Sequence, residues 1–173
     1  MYNLARQSIN VDIPPRDICI YNIERISDVK YISKELHEKL KKRVLPKKND
    51  ILLAKNGTTG VAAIVNTDEE FSIYVSLALL RPNLQVINPR YLLHFINSNI
   101  AKIQFNNKLI GIGVPNLHLS EIKTTKIILP SLKIQKIIVE KIDDFNSEID
   151  DLMNSAINRK KTAQEEFEKE LFE

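Results

Sequence analysis

The sequence has one cysteine, three histidines and four glycines in 173 residues. A lone thiol, Cys19, leaves no internal disulfide framework, and Cys and His are too few for a structural zinc site of the usual four-ligand kind, with two or more cysteines. No apolar run reaches the length of a membrane span, and the opening Met1-Tyr2-Asn3-Leu4-Ala5-Arg6 lacks the apolar core of a signal peptide, so the expected compartment is a reducing cytoplasm. Backbone breakers are also missing from one end. All four glycines and all seven prolines lie at or before Pro130, so every later residue can keep helical dihedrals and its own hydrogen bond.

What is present is 43% hydrophobic and 27% charged, enough for a genuine core and too apolar for wholesale disorder. The charge is divided. Residues 1–130 carry 18 Lys+Arg against 11 Asp+Glu, net +7, and residues 131–173 carry 7 against 11, net −4, which together give the +3 of the whole chain. The two parts therefore face different partners.

Short apolar runs at Ile18–Tyr21, Ile51–Ala54, Val61–Val65 and Phe71–Leu80, bounded by Asn, Asp, Gly, Thr or Pro, predict strands. Ser33 is placed to cap a helix with Leu36, Leu40 and Val44 on one face. Asn88-Pro89 opens a second helix with Leu92, Leu93, Ile96, Ile100 and Ile103 at helical spacing. Leu109–Leu119 reads as a Gly/Asn-rich loop and Ile127-Ile128-Leu129 as a last strand. The expectation is an α+β domain of mixed strands and helices over residues 1–130, followed by one long projecting helix over 131–173. In that helix Ile138, Ile142, Phe145, Ile149, Leu152 and Ala156 step by four and three, a coiled-coil seam; it slips at Arg159 and resumes at Ala163, Phe167 and Leu171. Some 40 residues of helix run about 60 Å, longer than a small domain is wide; folding back over the domain would cover at most half of it, so pairing with another helix is the favoured expectation.

Lys39–Lys48 holds six cations and no anion. It is either a solvated helix end favoured by the helix dipole or a phosphate-binding cluster, and the +7 of the surrounding part favours nucleic acid. Ala54-Lys55-Asn56-Gly57-Thr58-Thr59-Gly60-Val61 is a strand–loop–strand unit that can approach a phosphate or base edge closely, or simply turn a hairpin; it is not a Walker loop. Gly111-Ile112-Gly113-Val114-Pro115-Asn116-Leu117-His118, after Asn106, Asn107 and Lys108, is either a second reading loop or a structural bend.

Signals for catalysis are few. Asn88-Pro89-Arg90-Tyr91 is near the Asn-Pro-Pro-Tyr signature of amine methylases, but it lacks the second proline and a cofactor loop, and a helix start is simpler. Glu121-Ile122-Lys123 has a nuclease-like Glu-x-Lys spacing without a preceding Pro-Asp; Ser120-Glu121 opening a short helical turn explains it better. Cys19 joins His37, His94 or His118 as a nucleophile–base pair only by assumption. No cofactor or metal site is expected.

The order of these pieces resembles a known family. A basic segment precedes Asn49–Val65, then come Asn88-Pro89-Arg90-Tyr91-Leu92 and Gly113-Val114-Pro115-Asn116-Leu117. The closing stretch is Ile127-Ile128-Leu129-Pro130-Ser131-Leu132-Lys133-Ile134-Gln135-Lys136-Ile137-Ile138. Over roughly residues 30–150 this is similar to the specificity subunit of type I restriction–modification systems. There a target recognition domain ends in an apolar strand, a proline and a Gln-Lys-Ile-like helix start. The resemblance implies a non-catalytic reader of double-stranded DNA, with one recognition domain where a full subunit has two, hence a half-subunit. It implies a helix that pairs, as in a homodimer, and sets the spacing of a bipartite target. Methyltransferase subunits, and a restriction subunit where one exists, would bring the chemistry. The expected base-reading residues are Lys55, Asn56, Thr58, Thr59, Lys108, Asn116 and His118, and the expected phosphate contacts are Arg43, Lys47 and Lys48. A small magnesium-dependent nuclease using Glu121 and Lys123, or a coiled-coil adaptor with an incidental basic domain, are the competing classes.

Overall fold

A computed structural model describes residues 2–5, 30–56, 59–108 and 116–172. The expected strand Ile18–Tyr21 and Cys19 lie outside the described residues. In chain order the elements are β1 (Tyr2–Ala5), β2 (Lys30–Ile32), α1 (Lys34–Lys41), β3 (Ile51–Ala54), β4 (Ala62–Ile64), β5 (Ser72–Ile73), β6 (Leu77–Leu80), α2 (Pro89–Asn97), α3 (Asn99–Asn106), α4 (Leu119–Lys123) and α5 (Leu132–Phe172). This is a mixed α and β fold with a long C-terminal helix, the class expected from the sequence. It divides into two compact units, Met1–Lys136 and Ile137–Glu173.

Among the described residues of the first unit the strands form two three-stranded sheets. One has the order β2-β1-β5, with β1 antiparallel to β2 and parallel to β5; the other has the order β4-β3-β6, antiparallel throughout. The central strand β3 is apolar at every position because both of its faces are covered. Ile51 and Leu53 pack with Leu93, Ile96, Ala101 and Phe105 of α2 and α3, while Leu52 packs with Phe71, Ile73 and Leu77. At a period of two, successive side chains enter opposite layers of the core.

Several sequence expectations need correction. Phe71–Leu80 is not one strand. A turn, closed by the Leu77 N–H donating to the Tyr74 carbonyl at 3.1 Å, sends β5 to one sheet and β6 to the other. The second predicted helix breaks at Ser98, whose Oγ donates to the Phe95 carbonyl at 2.6 Å and accepts the Ala101 N–H at 3.4 Å, so α3 starts afresh. In consequence Ile100 and Ile103 are exposed, and Ala101 and Phe105 enter the core. Ser33 caps α1 as expected, but the buried residue is His37, with Leu36 exposed, because α1 meets β5 through the His37 ring: Nδ1 shares a hydrogen bond with Ser72 Oγ at 2.9 Å. Ile127–Leu129 is not a strand. The Gln104 side chain takes both the N–H and the carbonyl of Lys126, and Tyr91 Oη donates to the Ile128 carbonyl, so side chains and not a ladder hold this segment and Ile128 is left exposed.

Gln135 lies in the first turn of α5, within the first unit. Its Nε2 donates to the carbonyls of Val86 and Pro130 at 3.1 and 2.8 Å, and its Oε1 accepts the Asn88 N–H at 2.8 Å. Asn88 caps α2 with its own side chain, so one buried amide ties the start of α5 to the start of α2. The second unit is helix throughout its described length. Phe145, Leu152, Phe167 and Leu171 of the predicted seam are exposed on it, and from Asp150 to Phe172 every residue is exposed.

Candidate nucleic-acid interface

The two loops expected to read bases are brought together. Asn56 and Asn116 form an antiparallel β-bridge, and the Leu117 N–H donates to the Lys55 carbonyl at 2.8 Å. Leu117 is fully buried in the α2–α3 core layer, so it anchors the second loop while Asn116 and exposed His118 flank it. On the other side the Lys55 N–H donates to the Ser76 carbonyl at 2.9 Å. Three chain segments therefore lie side by side at the end of β3, in the order Ser76, Lys55, Leu117. Asn56 Oδ1, Asn116 Oδ1 and Ser76 Oγ are buried atoms that find no hydrogen-bond partner among the described residues.

The first loop returns to β4 through Gly60. Its φ of +83° favours glycine, and a Cβ there would stand 3.1 Å from Phe105 Cδ2. Thr59 is half-buried beside it; Thr58 lies outside the described residues, as do Gly57, Gly111 and Gly113. Lys108 is held: its Nζ donates to the Glu121 carbonyl at 3.2 Å and to Thr124 Oγ1 at 2.9 Å, a cation at the C-terminal end of α4.

The basic run lies at the opposite end of β3. Lys55 is five residue steps from Asp50, about 17 Å of extended chain, or about five base pairs of duplex rise. Lys47–Asp50 forms a turn closed by the Asp50 N–H donating to the Lys47 carbonyl at 2.9 Å, with Asn49 at φ 72°, a left-handed conformation asparagine tolerates. Arg43, Lys47 and Lys48 are all exposed. The run is not the bare cation cluster its sequence implies. The acidic stretch Asp68–Glu70 folds against it: Lys41 Nζ meets both Glu70 oxygens at 2.7 and 2.9 Å, and Lys48 Nζ meets Asp68 at 3.2 Å. The hydrogen bond from Lys41 holds the Glu70 carboxyl below its ordinary value of 4.5, against a smaller opposing desolvation. Exposed pairs of this kind are weak enough for phosphate to displace.

Three anchors have tertiary partners that sequence reasoning did not find. Arg81 donates to both oxygens of buried Asp50, Nε at 2.8 Å and Nη2 at 2.6 Å, and Nη2 also reaches the Leu45 carbonyl at 2.9 Å. The hydrogen bond to Asp50 raises the guanidinium pKa above its already high ordinary value. Asp50 Oδ2 in turn accepts the Lys47 N–H at 2.8 Å, so this pair positions the basic run. Asn97 completes the free edge of β4: its Oδ1 accepts the Ala62 N–H and its Nδ2 donates to the Ala62 carbonyl. Gln135 is the third. All three join residues more than thirty apart in sequence, and no local pattern names their partners.

As for chemistry, Glu121 Oε1 accepts from Ser120 Oγ at 3.0 Å within α4, and Lys123 is exposed on the same short helix. Among the described residues no group of three or more His, Cys, Asp or Glu is placed to hold a metal ion, and no helix is long and apolar enough to cross a membrane. The electrostatics favour an anionic ligand. From Phe71 to Ser120 the chain has no acidic residue and carries Arg81, Arg90, Lys102 and Lys108.

Residues 7–160 match the family of the type I restriction modification DNA specificity domain. The chain belongs to this family. Among curated relatives it is 26% identical over 137 residues to the type I restriction enzyme EcoBI specificity subunit of Escherichia coli, covering 78% of this chain and 29% of that one. It is 30% identical over 118 residues to the putative type I restriction enzyme specificity subunit S.HindORF215P of Haemophilus influenzae (strain ATCC 51907 / DSM 11121 / KW20 / Rd), covering 68% of this chain and 29% of that one. The chain thus spans under a third of the length of these relatives. Its fold resembles the crystal structure of the HsdS subunit from Thermoanaerobacter tengcongensis, with a TM-score of 0.55 and 21% identity over 62% of this chain and 28% of that one. The family match takes in both candidate loops, the basic run and the first part of α5.

Proposed function

We propose that the chain is a non-catalytic DNA-recognition module of a type I restriction–modification system, reading one half of a bipartite target in double-stranded DNA in the cytoplasm. The observation that carries this reading is the meeting of Lys55–Asn56 with Asn116–His118 on one rim, inside a family whose members are DNA specificity domains. Amide side chains can pair with adenine edges and Lys with guanine or phosphate. Lys55, Asn56, Thr58, Thr59, Asn116 and His118 are the proposed reading set, with Lys108 supporting α4 and adding charge. Arg43, Lys47 and Lys48 are proposed phosphate contacts, which position the module without specifying sequence.

The division of labour follows the charge, with residues 1–130 on DNA and 131–173 on protein. In this reading α5 pairs along Ile138, Ile142, Phe145, Ile149, Leu152 and Ala156 with a second copy, and so spaces two recognition modules; the modification subunit and, where present, a restriction subunit assemble on them. The exposed apolar residues of the seam support a protein partner, since a contiguous apolar stripe on a solvated helix marks an interaction surface.

Electrophoretic shift of a random duplex, with and without a modification subunit, tests the first part. Binding that weakens steeply with salt is expected, and Lys47→Ala should reduce the log–log salt slope by about one while weakening all sequences alike. No shift at low salt would refute the reading, and magnesium-dependent cleavage by the chain alone would replace it with the nuclease. Light scattering at rising concentration tests the pairing, and a persistent monomer in the presence of a modification subunit would refute it.

A further inference from the structure

The rim at the end of β3 has a third segment that no sequence motif marks. Tyr74, Val75 and Ser76 turn the chain from β5 to β6, and the Ser76 carbonyl accepts the Lys55 N–H at 2.9 Å, so this turn is hydrogen-bonded directly to the first loop and through it to the second. Tyr74 and Val75 are each 51% exposed, although Phe71, Ile73, Leu77 and Ala78 around them are buried. Ser76 is itself only 3% exposed, yet among the described residues its Oγ finds no hydrogen-bond partner, nor do the buried Oδ1 atoms of half-buried Asn56 and Asn116. Native structures satisfy nearly all such atoms with protein, ordered water or ligand. These three atoms, one from each segment, are covered as the rim stands, and the segments are hydrogen-bonded to a turn that exposes an aromatic and a branched aliphatic, so a ligand seated on Tyr74 and Val75 reaches them once the rim side chains turn outward.

We infer that the Tyr74–Ser76 turn is a third base-reading element, in which Tyr74 and Val75 make apolar contact with base edges in the major groove and Ser76, turned outward on binding, adds a polar contact to those of Asn56 and Asn116. The ligand class is a duplex edge carrying thymine methyl groups, which apolar side chains recognise and phosphate-binding cations do not. Charge agrees with this occupant: no acidic residue lies between Phe71 and Ser120, and Lys55 is the flanking cation. A protein partner with an apolar surface would leave the three polar atoms unanswered. The inference rests on the DNA-recognition reading above and extends it from two loops to three.

The test uses the full chain with its modification subunit. A preferred sequence is selected from random duplexes, and affinities for that duplex and for an unrelated one are compared for wild type, Tyr74→Ser, Val75→Ser and Ser76→Ala. The first two substitutions are expected to weaken the preferred duplex about tenfold or more, to relax the selected sequence at one or two positions, and to leave the unrelated duplex within about twofold with the same salt slope. The retained affinity for the unrelated duplex also reports that the variant is folded. Ser76→Ala is expected to relax the same or an adjacent position. An unchanged selected sequence in all three variants, or an equal loss on both duplexes, overturns the inference and leaves the two-loop reading intact. A wild type that selects no sequence overturns both.

Discussion

Truncating Gln135 to alanine is the sharpest perturbation of the first unit. The side chain is fully buried and makes three hydrogen bonds, two as donor to the Val86 and Pro130 carbonyls and one as acceptor from the Asn88 N–H. Removing it strands three backbone groups; at about 1–3 kcal/mol for each buried group left unpaired, less where water can enter, the expected loss is about 3–5 kcal/mol. Against a typical domain stability of about 5–15 kcal/mol this is a third or more of the total. Gln135→Met separates the contributions, because it keeps the volume and loses every hydrogen bond, and it should cost nearly as much. Gln135→Glu sets a carboxylate against two carbonyls, so its folded-state pKa rises. A raised acid is penalised above its ordinary range and relieved as pH falls toward it, so this variant should recover part of its loss between about pH 7 and pH 4 while the alanine variant does not. Urea unfolding followed by far-ultraviolet circular dichroism, with amide exchange at Asn88, reads all three. A loss under about 1 kcal/mol for both Ala and Met would refute the reasoning.

Asp50→Ala should destabilise by about 2–4 kcal/mol in the same assay, toward the low end for a buried ion pair because the Arg81 guanidinium is half-exposed, and it should loosen the Lys47–Asp50 turn enough to raise amide exchange at Lys47. Gly60→Ala should cost about 1–2 kcal/mol, since a left-handed φ and a Cβ at 3.1 Å from Phe105 act together; a neutral result would show that Phe105 moves aside. Glu70 is held below 4.5 by Lys41, so its pairing contributes above that pH and is lost as pH falls through the lower folded value. The melting-temperature difference between wild type and Glu70→Gln should therefore shrink on acidification below pH 4.5, and a difference that grows there would contradict the assignment.

The part of the fold legible in the sequence is the part governed by local rules. Ser33 and Asn88 announced their helices because a short polar side chain at an N-cap satisfies orphan N–H groups wherever the chain goes next. The breaker-free stretch after Pro130 announced α5, and the apolar run Ile51–Ala54 announced a strand. Misreadings arose where hydrogen bonding outweighed hydrophobic periodicity. Ser98 restarted a helix that the isoleucine spacing would have continued, and Gln104 and Tyr91 took the backbone groups that a strand at Ile127–Leu129 would have needed.

For the candidate site, the residue types were readable and their arrangement was not. Two asparagine-bearing loops some sixty residues apart are each ambiguous between a turn and a reading loop; only pairing across the end of β3 sets them on one rim. The basic run and the acidic Asp68–Glu70 stretch each look uniform in sequence, and only the β3–β4 hairpin folds one against the other. By itself the sequence determined composition, charge division, caps and the long helix, because these depend on neighbours within a few residues. Tertiary structure decided which distant polar groups meet, because a hydrogen bond between Gln135 and Asn88 or between Arg81 and Asp50 is specified by packing in three dimensions and leaves no period along the chain.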